Sequence, residues 1–238
     1  MVREEKKVAI ITGASQGIGA GLVRAYRERG FRVVATARTI KASQDEHVVA
    51  VAGDIRERRT AEAVVGAAKE RFGRLDTLVN NAGVFVAKPF VQYTQEDFDL
   101  VTGVNVAGFF HITQLAAAEM LARQSGHIVN ITATLADQPR ASVPAALASL
   151  TKGGISAVTT GLAIEFAKQG VRVNAVAPGI IDTPMHSPEA HDFLAKLHPM
   201  GRVGAIEDVA NAVLFLESAP FITGEVVHVD GGWHAGQG

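Results

Sequence analysis

The sequence predicts an α/β domain built as a single doubly wound parallel sheet with helices on both faces. Three observations carry this. Short apolar runs alternate with segments of helical period along almost the whole chain. A glycine-rich turn, 12–19, joins the first apolar run to the first helical segment. The 238 residues, 47% hydrophobic and 20% charged, suit one domain, 1–238, with a substantial core. Sheets of this kind bind ligands beyond the carboxyl ends of their strands.

Taken in order, 8–11 reads as the first strand and the turn Thr12-Gly13-Ala14-Ser15-Gln16-Gly17-Ile18-Gly19 as a phosphate-binding element. Glycine bends the backbone there without a Cβ penalty and lets helix N–H groups approach a pyrophosphate. A helix follows, with Leu22, Val23, Ala25 and Tyr26 on one face and a stop at Gly30. Strands are expected at 31–37 and 48–52, a helix at 60–72, and a fourth strand at 75–80 that runs into Asn81-Ala82-Gly83. A long helix is expected from about 94 to 123, a fifth strand at 128–131, a helix at 145–168 and a sixth strand at 171–176. Pro178-Gly179 opens a loop to about 202, before a helix at 206–216 and a last strand at 225–229.

A formal net charge of −1 provides no basic surface for nucleic acid or anionic lipid, so neither is expected as a partner. The start is charged and then only briefly apolar, which fits a first strand better than a membrane span and makes a cytoplasmic protein the expectation. The absence of cysteine removes disulfides, thiolate nucleophiles and zinc-cysteine sites. The spacing of His186, His191 and His198 offers no helical metal face, and no metal is expected.

TGASQGIG, NNAG at 80–83, Asn105 in VNVAG, GHIVNI at 126–131 and PGIIDTPM at 178–185, in this order, resemble the short-chain dehydrogenase/reductase family over essentially the whole chain. The resemblance implies a Rossmann-type NAD(P)(H) site. Gly13, Ser15, Gln16, Ile18 and Gly19 would surround the phosphates, and Asp54 and Ile55 would lie near adenine. Asn81, Ala82 and Gly83 would line the cofactor, Lys152 would hold its ribose, and Pro178, Gly179, Ile181 and Thr183 would hold the nicotinamide. A carboxylate ending strand two would repel a 2′-phosphate, but Ala37 stands there, followed by Arg38, whose guanidinium suits a phosphate. NADP(H) is therefore expected over NAD(H), although the basic residue that often accompanies this signal in the glycine turn is replaced by Gln16. Family members commonly form dimers or tetramers through long helices and the last strand region, here 222–232, so a homo-oligomer, a homotetramer included, is expected.

The family's reaction uses an Asn, a Ser and a Tyr-x-x-x-Lys pair. Asn105 and Lys152 match, but Ala148 stands at the tyrosine and Ala133 at the serine. Thr134 is the possible substitute for the serine, with Thr132 on the same side of an extended chain. Ser149 and Thr151 lie on other faces of the helix. Asp137, Arg140, His186, His191 and His198 are the remaining polar candidates near the nicotinamide. Three readings stay open: an atypical oxidoreductase acting on a small carbonyl or alcohol, with Asn105, Lys152 and Thr134 as catalytic candidates; a pseudoenzyme that binds NADP(H) for a regulatory or scaffolding role; and, more weakly, a lyase or isomerase.

Overall fold

The computed structural model describes residues 6–186, 189 and 191–236. It contains one seven-stranded sheet of order β3-β2-β1-β4-β5-β6-β7, every neighbouring pair parallel. The strands are β1 Val8–Thr12, β2 Arg32–Ala37, β3 Val48–Ala52, β4 Thr77–Asn80, β5 Gly126–Ile131, β6 Val171–Pro178 and β7 Val226–Val229. All five residues of β1 are buried, as a central strand covered on both faces requires. The chain reverses its direction of growth between β1 and β4, and the crevice at that switch point is where such a sheet receives a ligand.

Helices α1 (Gly17–Glu28) and α8 (Ile206–Ser218) cover one face, where Leu22 and Tyr26 pack with Val209, Val213 and Leu216 over Ile11 and Val79. Helices α2 (Arg58–Phe72), α4 (Phe109–Ala122) and α6 (Ala146–Phe166) cover the other, with Val64, Ile112, Met120 and Phe166 over Ile10 and Ile128. A third, smaller cluster lies beyond the strand ends, made by Leu135, Ala145, Ala148, Leu197 and Trp233.

Three sequence expectations need correction. The fourth strand begins at Thr77 rather than 75: the Asp76 backbone still bonds Val8 and His127, but its carboxylate, held by Arg74, takes the Val8 N–H that a longer ladder would use. The helix expected over 94–123 is interrupted: α3 (Gln95–Thr102) gives way to a π-helical turn, Gly103–Gly108, before α4. By length and composition the whole run Gln95–Ala122 could cross a membrane, but its Ile112, Ala116 and Met120 are fully buried against the sheet. The loops after β5 and β6 also hold short helices that periodicity could not reveal, α5 (Thr134–Asp137) and α7 (His191–Ala195).

Candidate active site

The glycine turn is tied to the end of β4 by side chains on both sides. The Thr12 hydroxyl accepts from the Asn81 N–H (3.0 Å) and the Ala82 N–H (2.9 Å), and Asn81 Nδ2 donates to the carbonyl oxygens of Thr12 (2.8 Å) and Gly13 (3.2 Å). Gly13 has φ +65° and a Cβ there would meet Ala82 Cα at 2.9 Å; a Cβ at Gly19 would run into the Gly13 carbonyl oxygen. Only glycine fits these places. Helix α1 then starts with no side chain capping it and no acidic residue in its first turn, so its free N–H groups and positive dipole end face the crevice. This donor set fits a pyrophosphate.

A cavity of about 430 Å³ extends from this turn across the strand ends. Its walls include Gly13, Gln16, Ile18, Gly19, Asn81, Ala82, Gly83, Lys152, Pro178, Gly179, Ile181 and Thr183, so twelve of the expected cofactor residues converge on one space. Ser15 is exposed beside the turn and is not part of the wall. Asp54 accepts from the Arg56 guanidinium (2.6 and 2.9 Å), and that hydrogen bond, against burial and with help from the charge of Arg38, holds its carboxyl below the usual range. Ile55 is a core residue packed beneath Gly108. Arg38 is exposed after β2 and makes no ion pair among the described residues.

Lys152 Nζ donates to the Ile131 carbonyl oxygen at 2.6 Å. The stem keeps some surface toward the cavity, but the ammonium is enclosed, and burial pushes its pKa down to about 8. Asn105 is buried behind it. Its Oδ1 accepts from the Val84 N–H (2.9 Å) and its Nδ2 donates to the Val84 carbonyl (3.0 Å) and the Thr151 hydroxyl (3.1 Å). The π-turn gives Asn105 this aim, and a Cβ on Gly83 would touch both Lys152 Nζ (3.1 Å) and Asn105 Oδ1 (3.4 Å).

Thr134 is not available to a substrate oxygen. It is fully buried outside the cavity wall, its hydroxyl 3.0 Å from the Ala177 carbonyl and 2.9 Å from Asp230 Oδ2. The extended chain ends at Ala133, and α5 turns Thr134 away, so Thr132 and Ala133 face the cavity instead. The Thr132 hydroxyl lies 3.3 Å from the Val176 carbonyl.

The loop groups separate as sharply. His198 is buried, with Nε2 accepting from the Ile180 N–H (3.0 Å) and Nδ1 3.1 Å from the Leu194 carbonyl, a neutral tautomer that burial favours. It braces the 178–183 segment and has no free nitrogen. Asp137 pairs with His228 (3.1 Å), Arg140 stacks on the Trp233 ring (4.5 Å to the centroid), and His191 lies 3.4 Å from Asp182; none of the three lines the cavity. His186 does line it, with a pKa lowered by burial. Neither tyrosine reaches the site: the Tyr26 hydroxyl lies toward Glu217 (3.4 Å), and the Tyr93 hydroxyl donates to Val86 (2.8 Å). Sequence reasoning missed the apolar wall of Leu135, Val143, Ile180, Leu194 and Trp233. Apolar loop residues carry no local signal that they will meet. No group able to hold a metal occurs among the described residues.

The family model described as Enoyl-(Acyl carrier protein) reductase matches residues 13–234. The 2,3-dihydroxy-2,3-dihydro-p-cumate dehydrogenase of Pseudomonas putida is 37% identical over 96% of this chain and 94% of its own. The 3-oxoacyl-(acyl-carrier-protein) reductase FabG of Thermotoga maritima is 35% identical over 97% and 99%. Among solved structures, ElxO with NADP bound superposes with a TM-score of 0.90 at 30% identity, covering 97% of this chain and all of its own. The 3-ketoacyl-(acyl-carrier-protein) reductase of Brucella melitensis complexed with NADH gives 0.89 at 34%, covering 97% and 99%. The chain belongs to the short-chain dehydrogenase/reductase family.

Proposed function

We propose that this chain is an NADP(H)-dependent oxidoreductase that moves a hydride to or from a small carbonyl compound or alcohol with a reduced proton-transfer site. The observation that carries the proposal is the convergence of the glycine turn, the β4 end, Lys152 and the 178–183 segment on one cavity whose far wall is apolar. The cofactor, when bound, supplies the hydride. The free N–H groups of α1 would hold its phosphates, and Pro178, Gly179, Ile181 and Thr183 would hold its nicotinamide end. Lys152 presents a buried positive charge to the ribose and the reacting oxygen, while Asn105 keeps the Val84 backbone and the neighbouring helix in register around it. With Ala148 and Ala133 on the wall, the described residues lining the cavity include no phenol or serine hydroxyl to donate a proton. That same observation favours a second reading, an NADP(H)-binding protein without turnover, and ketone reduction with NADPH separates the two.

Arg38 supports NADPH over NADH, being an exposed guanidinium just after a strand that ends in Ala37 rather than in a carboxylate, while the nearby Asp54 is paired with Arg56. Arg38→Ala is expected to weaken NADPH binding about tenfold or more and to leave NADH almost unchanged, as followed by calorimetry. Equal losses for both cofactors would reject this role for Arg38.

Assembly as a dimer or tetramer belongs to the same proposal. Phe110, Leu150, Ile164, Phe215 and Phe221 are large apolar side chains left exposed on the helices and the turn before β7, and a partner subunit that covered them would remove them from water. Light scattering at micromolar concentration is expected to give at least twice the 25.0 kDa chain mass, and a monomer would reject the oligomer.

A further inference from the structure

Ala148 and Lys152 sit one turn apart on α6 and both face the cavity. Ala148 packs with Leu135, Val143, Leu194 and Trp233, and all five line the cavity, where they form an apolar recess beside Lys152. An ammonium has three donors, yet the only hydrogen bond of Lys152 Nζ among the described residues goes to the Ile131 carbonyl, and no carboxylate balances its charge. A buried cation of this kind favours a ligand group that can ionise against it.

We propose that this recess is a subsite for an acidic hydroxyl carried by the substrate itself, a phenol or enol, placed against Lys152 Nζ. The inference rests on the oxidoreductase reading above and names its substrate class: hydroxyaryl ketones and enolised dicarbonyl compounds, in which such a hydroxyl lies beside the carbonyl. The apolar walls suit a planar ring. A carboxylate fits less well, because its second oxygen needs donors, and the nearby Thr132 hydroxyl already faces the Val176 carbonyl at 3.3 Å.

In reduction, the carbonyl carbon gains a hydride from the reduced nicotinamide, forming a C–H bond as the C=O π pair moves to oxygen. That oxygen takes the proton of the neighbouring hydroxyl. The phenolate or enolate so formed takes a proton from the Lys152 ammonium, and solvent restores the lysine. The sum is carbonyl, reduced cofactor and one proton going to alcohol and oxidised cofactor.

The probe is para-nitrophenol, whose ionised form is yellow, compared with para-nitroanisole, which has the same ring and no acidic proton. Both are titrated into the protein with and without saturating NADP⁺, after NADP⁺ binding has been measured separately. The wild type is expected to bind the phenol at least tenfold more tightly than the ether and to raise the yellow fraction at fixed pH. Lys152→Met should abolish the preference and the colour change, and Ala148→Phe should block both ligands while NADP⁺ still binds. Equal binding of phenol and ether by the wild type overturns the subsite whatever the variants do, as does unimpaired phenol binding in a folded Ala148→Phe. Failure of NADP⁺ to bind would instead reject the oxidoreductase reading, and the titration without NADP⁺ would still decide the subsite.

Discussion

Ala148→Tyr together with Ala133→Ser is expected to raise NADPH-dependent reduction of simple ketones by about 100-fold or more over the wild type, the factor a positioned general acid typically supplies. Residues 148 and 152 share one helix face, so a phenol at 148 comes within the influence of the Lys152 ammonium, which lowers its pKa and holds its oxygen. Position 133 lines the same cavity, so a serine there faces the reacting oxygen. The tyrosine ring enters a recess already bounded by Leu135, Ala145 and Trp233, and overpacking would cost about 1 to 3 kcal/mol. A melting curve measures that cost, and the decay of NADPH absorbance measures turnover. A folded, NADPH-binding double variant with no gain would mean that Lys152 does not stand where the reacting oxygen lies. Fast turnover by the wild type on ketones lacking a hydroxyl would point to His186, whose imidazole lines the cavity.

The second large effect lies at the opposite ends of the strands. Glu217, near the end of α8, points its Oε2 into the fold, where it accepts from the Thr77 hydroxyl (3.0 Å), His127 Nδ1 (2.9 Å) and, more distantly, the Tyr26 hydroxyl (3.4 Å). Asn174 Nδ2 donates to His127 Nε2 (3.2 Å), which fixes His127 as the neutral tautomer with its proton on Nδ1. Glu217→Ala would leave buried donors without an acceptor, at about 1 to 3 kcal/mol for each unsatisfied group. We expect a loss on the order of 3 kcal/mol and a melting temperature lower by about 6 to 12 °C, with Glu217→Gln losing less because it retains an acceptor oxygen. A change of under about 2 °C for the alanine variant would show that this network contributes little.

The same network sets an acid limit. Burial pushes the His127 pKa down, so the unfolded chain, titrating near 6.5, binds a proton that the folded chain refuses, and stability falls as pH drops below about 6.5. Burial pushes the Glu217 carboxyl up, but hydrogen bonds from the neutral His127 and from Thr77, with the charge of Lys7, outweigh it and hold it down. Its contribution is complete above the unfolded value near 4.3 and is lost as pH falls through the folded one. The other charged group facing Glu217 is Arg172, which stays protonated throughout. Denaturant midpoints measured from pH 7 to 3 should therefore decline monotonically, and the decline below about 5 should be shallower in Glu217→Ala.

The sequence by itself determined what depends on neighbours in the chain. The buried strand β1, the glycine turn that a Cβ would break at Gly13 and Gly19, the uncapped start of α1 and the single-turn spacing of Ala148 and Lys152 are properties of backbone conformation and residue period, which a few consecutive residues specify. Tertiary structure alone decided which side chains meet across long separations. Thr134 could be placed as near the reaction or away from it until Asp230, 96 residues further on, drew its hydroxyl inward. Asn105 required the π-turn to reach the Val84 backbone, and Asp76 shortened β4 by binding the Val8 N–H. The apolar recess at Ala148 and the polar knot around Glu217 each draw on several separate segments. A hydrogen bond or a cavity wall of this kind stabilises only the assembled fold, so no local pattern records it.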